Sequence, residues 1–194
     1  MRQALLIVVL GAAAIAGAAA VWAGDDSGGA STTGSVSLIG DSLNVGIEPY
    51  LGAALPGWTI RAENEVGRAT REGLAVLERD RASLGRVVVV SLGTNDPQDD
   101  APGFRSHVRR ALELAGRRCL VWATIWRDGP GEALNEVLLQ EARANRSLTL
   151  VEWDAMLAAR PDWLAPDGVH ATPAGYRARA EAVADAVRGC EATS

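Results

Sequence analysis

The chain has 194 residues, 48% of them hydrophobic, enough for one domain with a sizeable core and too short for two. Its formal charge is −5 and all 19 cationic side chains are arginine, a balance that argues against a nucleic-acid partner, whose phosphates demand a basic face. Taken in chain order, Arg2 precedes an unbroken apolar and glycine run over residues 4–23, and residues 24–35 are rich in Gly, Ser, Thr and Asp. The run has no polar face and reaches the ~20 residues that span a bilayer, so residues 1–23 read as a signal peptide or N-terminal membrane anchor. Small-residue patterns at Ala18-Ala19-Ala20 and Val21-Trp22-Ala23 leave cleavage open. Residues 24–35 read as a flexible linker, and 36–190 as the folded domain.

Past the linker, apolar runs and helical periodicity alternate. Strands are predicted near 36–40, 58–62, 87–92, 119–124 and 148–153, with helices near 45–55, 70–84, 103–115, 131–145 and 173–188. Such alternation implies parallel βαβ units with helices on both faces, and sheets of that kind bind ligands at the carboxyl ends of their strands.

The residues that carry chemistry fall at those ends. Gly40-Asp41-Ser42-Leu43 closes the first predicted strand, and Asp167-Gly168-Val169-His170 precedes the last helix. Together they supply a hydroxyl, an imidazole to take its proton, and a carboxylate to fix the tautomer of that imidazole. The pattern is not the G-x-S-x-G elbow, because position 44 is Asn. Asp41 is expected to hold the turn. Gly93-Thr94-Asn95-Asp96 follows the β-branched run over 87–92, where the Asn95 amide can donate to an oxyanion. Gly67, after the second strand, is suited to bring a backbone N–H to the same point. The oxyanion hole then comprises Ser42 N–H, Gly67 N–H and Asn95.

These four ordered blocks resemble the SGNH (GDSL-type) hydrolase superfamily, with coverage from about Val36 to Val187. The resemblance implies a flavodoxin-like three-layer α/β/α sandwich on a five-stranded, mostly parallel sheet. It also implies a serine esterase or acyl transferase, with Ser42 as nucleophile, His170 as base and Asp167 as its partner. Arg68, directly after Gly67, and Asn135 resemble the branch that acts on O-acetyl groups of cell-wall polysaccharides; from the residues alone, Arg68 reads as a solvated loop arginine and Asn135 as a helix surface or capping residue.

Trp126 and Trp163 are placed to approach the cleft and stack on a sugar, whereas Trp58, Trp122 and Trp153 read as core. His107 reads as an ordinary helix residue. Asp96, Asp99 and Asp100 lack the ligand spacing of a calcium loop and read as a solvated acidic loop. Cys119 and Cys190 fall at the same end of the sheet, opposite the catalytic end, as either a disulfide or two separate buried thiols.

The expected protein is therefore an exported, monomeric serine esterase. It hydrolyses or transfers a small acyl group, such as acetyl on a polysaccharide, through an acyl-enzyme, without metal or cofactor. It is either secreted or tethered to the outer face of the cytoplasmic membrane, which it touches only through the uncleaved run. The alternatives are a lipid-directed esterase, lysophospholipase or thioesterase, and a non-catalytic module that binds cell-wall glycan.

Overall fold

A computed structural model of the protein describes residues 34–129 and 131–191. The apolar run 4–23 and residues 24–33 of the linker lie outside the described residues. Five strands, β1 (Ser35–Gly40), β2 (Thr59–Asn64), β3 (Val87–Ser91), β4 (Cys119–Ala123) and β5 (Leu148–Val151), form one sheet. Its order is β2-β1-β3-β4-β5 and every pairing is parallel. Among the described residues six α-helices accompany it: α1 (Ser42–Ala54), α2 (Thr70–Arg79), α3 (Ala101–Ala115), α4 (Glu132–Ala144), α5 (Trp153–Ala159) and α6 (Pro173–Glu191). This strand order is the flavodoxin-like one, whose direction switches between β1 and β3.

The period-2 alternation of a strand divides the core. In β3, Val88 and Val90 face one side with Leu77, Phe104, Val108 and Leu138, while Val87 and Val89 face the other with Ile47, Leu51, Val183 and Val187. The first layer is covered by α2, α3 and α4, the second by α1 and α6. Central strands buried on both faces read as continuous Val/Leu runs. The edge strand β2 differs: Arg61, Glu63 and Asn64 leave it polar and largely exposed, which discourages edge-to-edge pairing. Helices α1 and α6 approach closely at Gly46, where a Cβ would lie 2.1 Å from the Tyr176 ring.

Among the boundaries that depart from the sequence expectation, three have a plain local cause. Helix α1 starts at Ser42 rather than 45, because Asp41 caps it by accepting from Leu43 N at 2.9 Å. Helix α2 stops at Arg79, five residues short of 84, where Asp80 and Ser83 turn the chain (Ser83 N to Asp80 O, 2.8 Å). Strand β5 ends at Val151, and Trp153 instead opens α5, which sequence reading missed; its buried pair Trp153 and Leu157 has the i, i+4 spacing of a helix.

A disulfide joins Cys119 to Cys190, with Cα atoms 5.8 Å apart. It pins the C-terminal end of α6 to the start of β4, which settles the open choice between bridge and thiols.

Candidate active site

The chain leaves β1 at Gly40 and enters α1 at Ser42, so the Ser42 backbone N–H belongs to the first turn of a helix, where N–H groups lack intrahelical partners and the dipole favours negative charge. Because Asp41 does the capping, the Ser42 hydroxyl is left to other work. His170 Nε2 lies 2.9 Å from Ser42 Oγ, and His170 Nδ1 lies 2.7 Å from Asp167 Oδ2. A carboxylate only accepts, so Nδ1 carries the proton and Nε2 is the ring's acceptor, turned toward the serine.

Asp167 and His170 sit in a short loop with its own internal order. Leu164 and Ala171 pair as an antiparallel bridge, Ala165 N donates to His170 O at 2.8 Å, and Gly168 has φ 76°. Asp167 Oδ1 accepts from both Val169 N (3.0 Å) and His170 N (2.9 Å). The His170 side chain and these two backbone N–H groups hold the Asp167 carboxyl down at about 2, well below the ordinary carboxylate range. The pair is nevertheless open to solvent, with side chains 41% and 53% exposed.

The serine side is buried. Asp41 is fully enclosed and its carboxyl is pushed up to about 6 by burial, against the opposing pull of the Leu43 N–H, the Arg179 charge and the Thr94 hydroxyl. Arg179, on α6, is also enclosed; it donates to Ser91 Oγ at 2.8 Å and its guanidinium lies 4.9 Å from the Trp153 ring centre. Burial lowers it to about 10. Sequence reading missed this arginine. The signal was there: position 179 falls on the same helix face as half-buried Tyr176 and buried Ala180, Val183 and Val187, where a charge breaks the apolar pattern.

Asn95 follows β3 and reaches the same turn. Its Nδ2 donates to Arg68 O (3.1 Å) and to Asp41 Oδ2 (3.3 Å), and since both neighbours are acceptors the amide orientation is fixed. Both amide hydrogens therefore already have partners, the Asp41 contact being the longer. Gly67 lies exposed in the turn between β2 and α2 with φ 80°, and a Cβ there would meet nothing within 4 Å. The backbone conformation, not crowding, is what calls for glycine.

Of the residues expected to touch substrate, two have their polar atoms engaged inside the fold. Arg68 is buried, contrary to the solvated-loop expectation: its guanidinium donates to the carbonyls of Gly40 and Glu63 and to Glu65 Oε2, which ties the Gly67 turn to the end of β1. Asn135 is buried rather than at the helix surface; it accepts from Ile125 N (2.7 Å) and donates to Ile125 O (2.9 Å) and Asp154 Oδ2 (3.1 Å), clamping the loop after β4. Trp126 and Trp163 are half-buried and pack with Trp153, Leu157 and Ala171 against the base of the His170 loop. Arg160 lies over the Trp163 ring, 4.6 Å from its centre. Trp122 and Trp153 are fully buried and Trp58 packs at the edge of the core.

In the acidic loop, Asp96 is buried rather than solvated, its Oδ1 accepting from Thr70 N (2.8 Å), and Asp100 caps α3 through Gly103 N (3.0 Å). Among the described residues, no group of three or more His, Cys, Asp or Glu side chains is arranged to hold a metal ion.

Residues 18–178 match the GDSL-like Lipase/Acylhydrolase family. The chain belongs to that family. It is accordingly an enzyme of the serine esterase and acyltransferase kind. Among curated proteins it is 29% identical over 166 residues to the putative peptidoglycan O-acetyltransferase YrhL of Bacillus subtilis, covering 82% of this chain and 24% of that protein. It is 31% identical over 144 residues to the peptidoglycan O-acetyltransferase OatA of Listeria monocytogenes, covering 72% and 22% respectively. The chain thus spans about a quarter of the length of these relatives.

Among solved structures it superposes on the C-terminal catalytic domain of OatA from Streptococcus pneumoniae with a TM-score of 0.69 at 20% identity, over 81% of this chain and 94% of that one. The lipase/acylhydrolase of Enterococcus faecalis gives 0.65 at 20% identity, over 80% and 95%. At this identity the structural likeness speaks for the fold, which is the SGNH hydrolase α/β fold.

Proposed function

We propose that this chain is an exported O-acyl esterase or transferase that works on acetyl groups of cell-wall glycan, with Ser42 as nucleophile, His170 as general base and Asp167 as the group that orients it. The observation that carries the mechanism is the unbroken contact series Asp167–His170–Ser42, at 2.7 and 2.9 Å. As Ser42 Oγ attacks the ester carbonyl, its proton passes to His170 Nε2. The C–O bond to the departing alcohol then breaks and that oxygen takes the proton, leaving the acyl group on Ser42. Water, or a second hydroxyl, attacks the acyl-enzyme with His170 again accepting the proton; the bond between the acyl carbon and Ser42 Oγ then breaks and Oγ takes that proton back, restoring the free serine. Asp167, an acceptor with a low pKa, stays ionised and steadies the imidazolium.

The negative oxygen of the tetrahedral intermediate is held by Ser42 N–H, Gly67 N–H and Asn95. For Asn95 to take part, the oxyanion replaces the longer of its two present contacts, the one to Asp41 Oδ2. Arg68 and Asn135 act as positioning residues, while Trp126 and Trp163, partly exposed beside the His170 loop, offer apolar surface to a sugar. A glycan rather than a small ester is favoured by the exposure of Asp167 and His170, which leaves the reacting atoms reachable by a polymer lying across the surface, and by the names of the related O-acetyltransferases. Export rests on the apolar run 4–23, which makes residues 1–23 the signal or anchor and 24–35 the linker. Among the described residues no helix is long and apolar enough to cross a membrane.

A series of p-nitrophenyl esters from acetyl to palmitoyl, run beside acetylated peptidoglycan with and without a glycan acceptor, tests this reading. Highest kcat/KM at acetyl, together with acetate release or acetyl transfer on the polymer, is expected. A preference rising toward palmitoyl would instead make the enzyme lipid-directed.

A further inference from the structure

The charges of the domain are sorted between its two ends. The connections that lead from a strand to a helix, around Ser42, carry seven carboxylates, Asp41, Glu65, Asp96, Asp99, Asp100, Asp128 and Glu152, against two arginines, Arg68 and Arg127. The connections that lead from a helix to a strand, at the opposite end, carry Arg81 and Arg86 before β3, Arg117 and Arg118 before β4, and Arg146 before β5. The carboxylate there, Asp80, is already paired with Arg79 and Arg61. Arginines in the last turn of a helix, such as Arg79, Arg143 and Arg188, complement the helix dipole. That effect fades beyond the last turn and does not account for the five in the connections.

Four of these five adjoin one another. Arg118 donates to Ala115 O (3.2 Å) and Arg81 O (3.3 Å), tying two of the connections together. Arg86, Arg117 and Arg118 line a groove of about 400 Å³ with Ser35, Leu84 and Cys119. Arg81, Arg117 and Arg146 are exposed and have no ion-pair partner among the described residues. Ser35, on the wall of the groove, is the first residue of β1, so the chain arriving from the apolar run enters the domain at its arginine end. The intervening residues 24–34 read as a linker whose root-mean-square reach is roughly 20 Å.

We infer that this end is a membrane-docking surface for the phosphate headgroups of anionic phospholipids, which holds the catalytic end turned away from the bilayer. The inference rests on the proposed reading of residues 4–23 as an uncleaved membrane segment. A tether of that length keeps the domain at an effective concentration near millimolar over the headgroups, where even a weak surface is occupied. Each arginine brought to an anionic surface strengthens binding by about fivefold, while the acidic end is repelled. The reacting serine then faces outward, the direction in which a wall polymer lies. Charges act over ~8 Å at physiological ionic strength, so the orientation depends on contact and is released by salt.

Hydrogen exchange of the full chain in nanodiscs of phosphatidylglycerol or of phosphatidylcholine provides the test. The segments 80–86 and 116–118 should exchange several-fold more slowly in the anionic discs, with segment 96–100 the same in both. The triple variant Arg81→Gln/Arg117→Gln/Arg146→Gln should lose that protection, its headgroup affinity falling about 10²-fold, with its unfolding midpoint and its hydrolysis of a soluble ester unchanged. Equal exchange in the two lipids, or protection that survives the triple variant, overturns the inference. Equal protection by soluble poly(glycerol phosphate) in phosphatidylcholine discs overturns the lipid assignment in favour of a wall polymer. N-terminal sequencing separates the two readings: if the run proves cleaved, the tether fails by itself, and sedimentation of the mature chain with phosphatidylglycerol vesicles decides the surface, pelleting retaining it and absence of pelleting removing it.

Discussion

Asp41 and Asp167 flank one hydroxyl from regions of opposite character. Asp41 belongs to a buried turn between β1 and α1, enclosed by Asn95, Thr94, Leu43 and the charge of Arg179, and burial drives its carboxyl up to about 6. Asp167 belongs to an open loop held by its own backbone hydrogen bonds, and the groups that donate to it pull its carboxyl down to about 2. The proposed nucleophile is thus fixed by the core, whereas the proposed base is fixed by a local turn that stays in water. Rigidity on one side and access on the other suit a site that must aim a hydroxyl yet admit a large substrate.

The sharpest break in that pairing is loss of either half. Ser42→Ala or His170→Ala should each lower kcat for p-nitrophenyl acetate by at least ~10³-fold, since the two act as a unit. Asp167→Asn should cost less, because its remaining side-chain oxygen still accepts from the Val169 and His170 amides and preserves the loop. Retention of turnover near the starting rate in Ser42→Ala would defeat the mechanism.

Asn95 belongs to the buried half, where it bridges Asp41 and Arg68. If it stabilises the oxyanion, Asn95→Ala should lower kcat by ~10²–10³-fold with KM little changed. Its present contacts to Asp41 and Arg68 allow a different role as a strut. An unchanged kcat accompanied by a lower unfolding midpoint would establish the strut and remove Asn95 from the oxyanion hole.

The opposite pKa shifts give opposite signs of stability with pH. Asp41 is raised from 3.8 to about 6 in the folded protein, so its proton is favoured by folding, and the stability it contributes declines as pH rises from about 4 through 6. Asp167 is lowered from 3.8 to about 2, so its contribution is present above 3.8 and is lost as pH falls toward 2. Asp41→Asn should therefore gain on the parent between pH 4 and 7 by on the order of 1–3 kcal/mol, read from urea midpoints across that range. A difference that stays flat with pH would mean that Asp41 is not the buried acid described.

The parts of this site legible in the sequence were those carried by contiguous blocks or by period. The Val87–Val90 run, the placement of Ser42 and Asn95 after strands, and the i, i+3 spacing of Asp167 and His170 each follow from local rules, and the order of the blocks sufficed for the family. What escaped was set by tertiary packing. Arg68 and Asn135 are polar residues whose partners, Gly40, Glu63, Ile125 and Asp154, come from other segments. Nothing within a few residues of either tells that it is buried. The start of α5 at Trp153 was hidden because β5 runs directly into it through the single residue Glu152, so the apolar stretch read as one strand. Arg179 was visible only as a charge on an apolar helix face, a signal that gains meaning once Asp41 is known to lie beneath it.

The disulfide provides the smallest expected effect on turnover and the clearest separation of stability from catalysis. Cys119 and Cys190 close a sequence separation of 71 residues at the end of the sheet away from Ser42, so the bond constrains the unfolded chain without touching the reacting groups. Loop-closure entropy for a span of that size corresponds to ~4 kcal/mol, and losing such a bridge from a small exported domain typically costs ~2–5 kcal/mol. The variant Cys119→Ser/Cys190→Ser should therefore unfold at a markedly lower urea concentration than the parent. At temperatures where it stays folded, its kcat should lie within about twofold of the parent's, since the bond joins the start of β4 to the end of α6, at the end of the sheet opposite Ser42. A fall in kcat without a fall in midpoint would mean that the bridge acts through α6, which carries Arg179 toward Asp41, and that the buried half of the site is less independent of the far end than its packing implies.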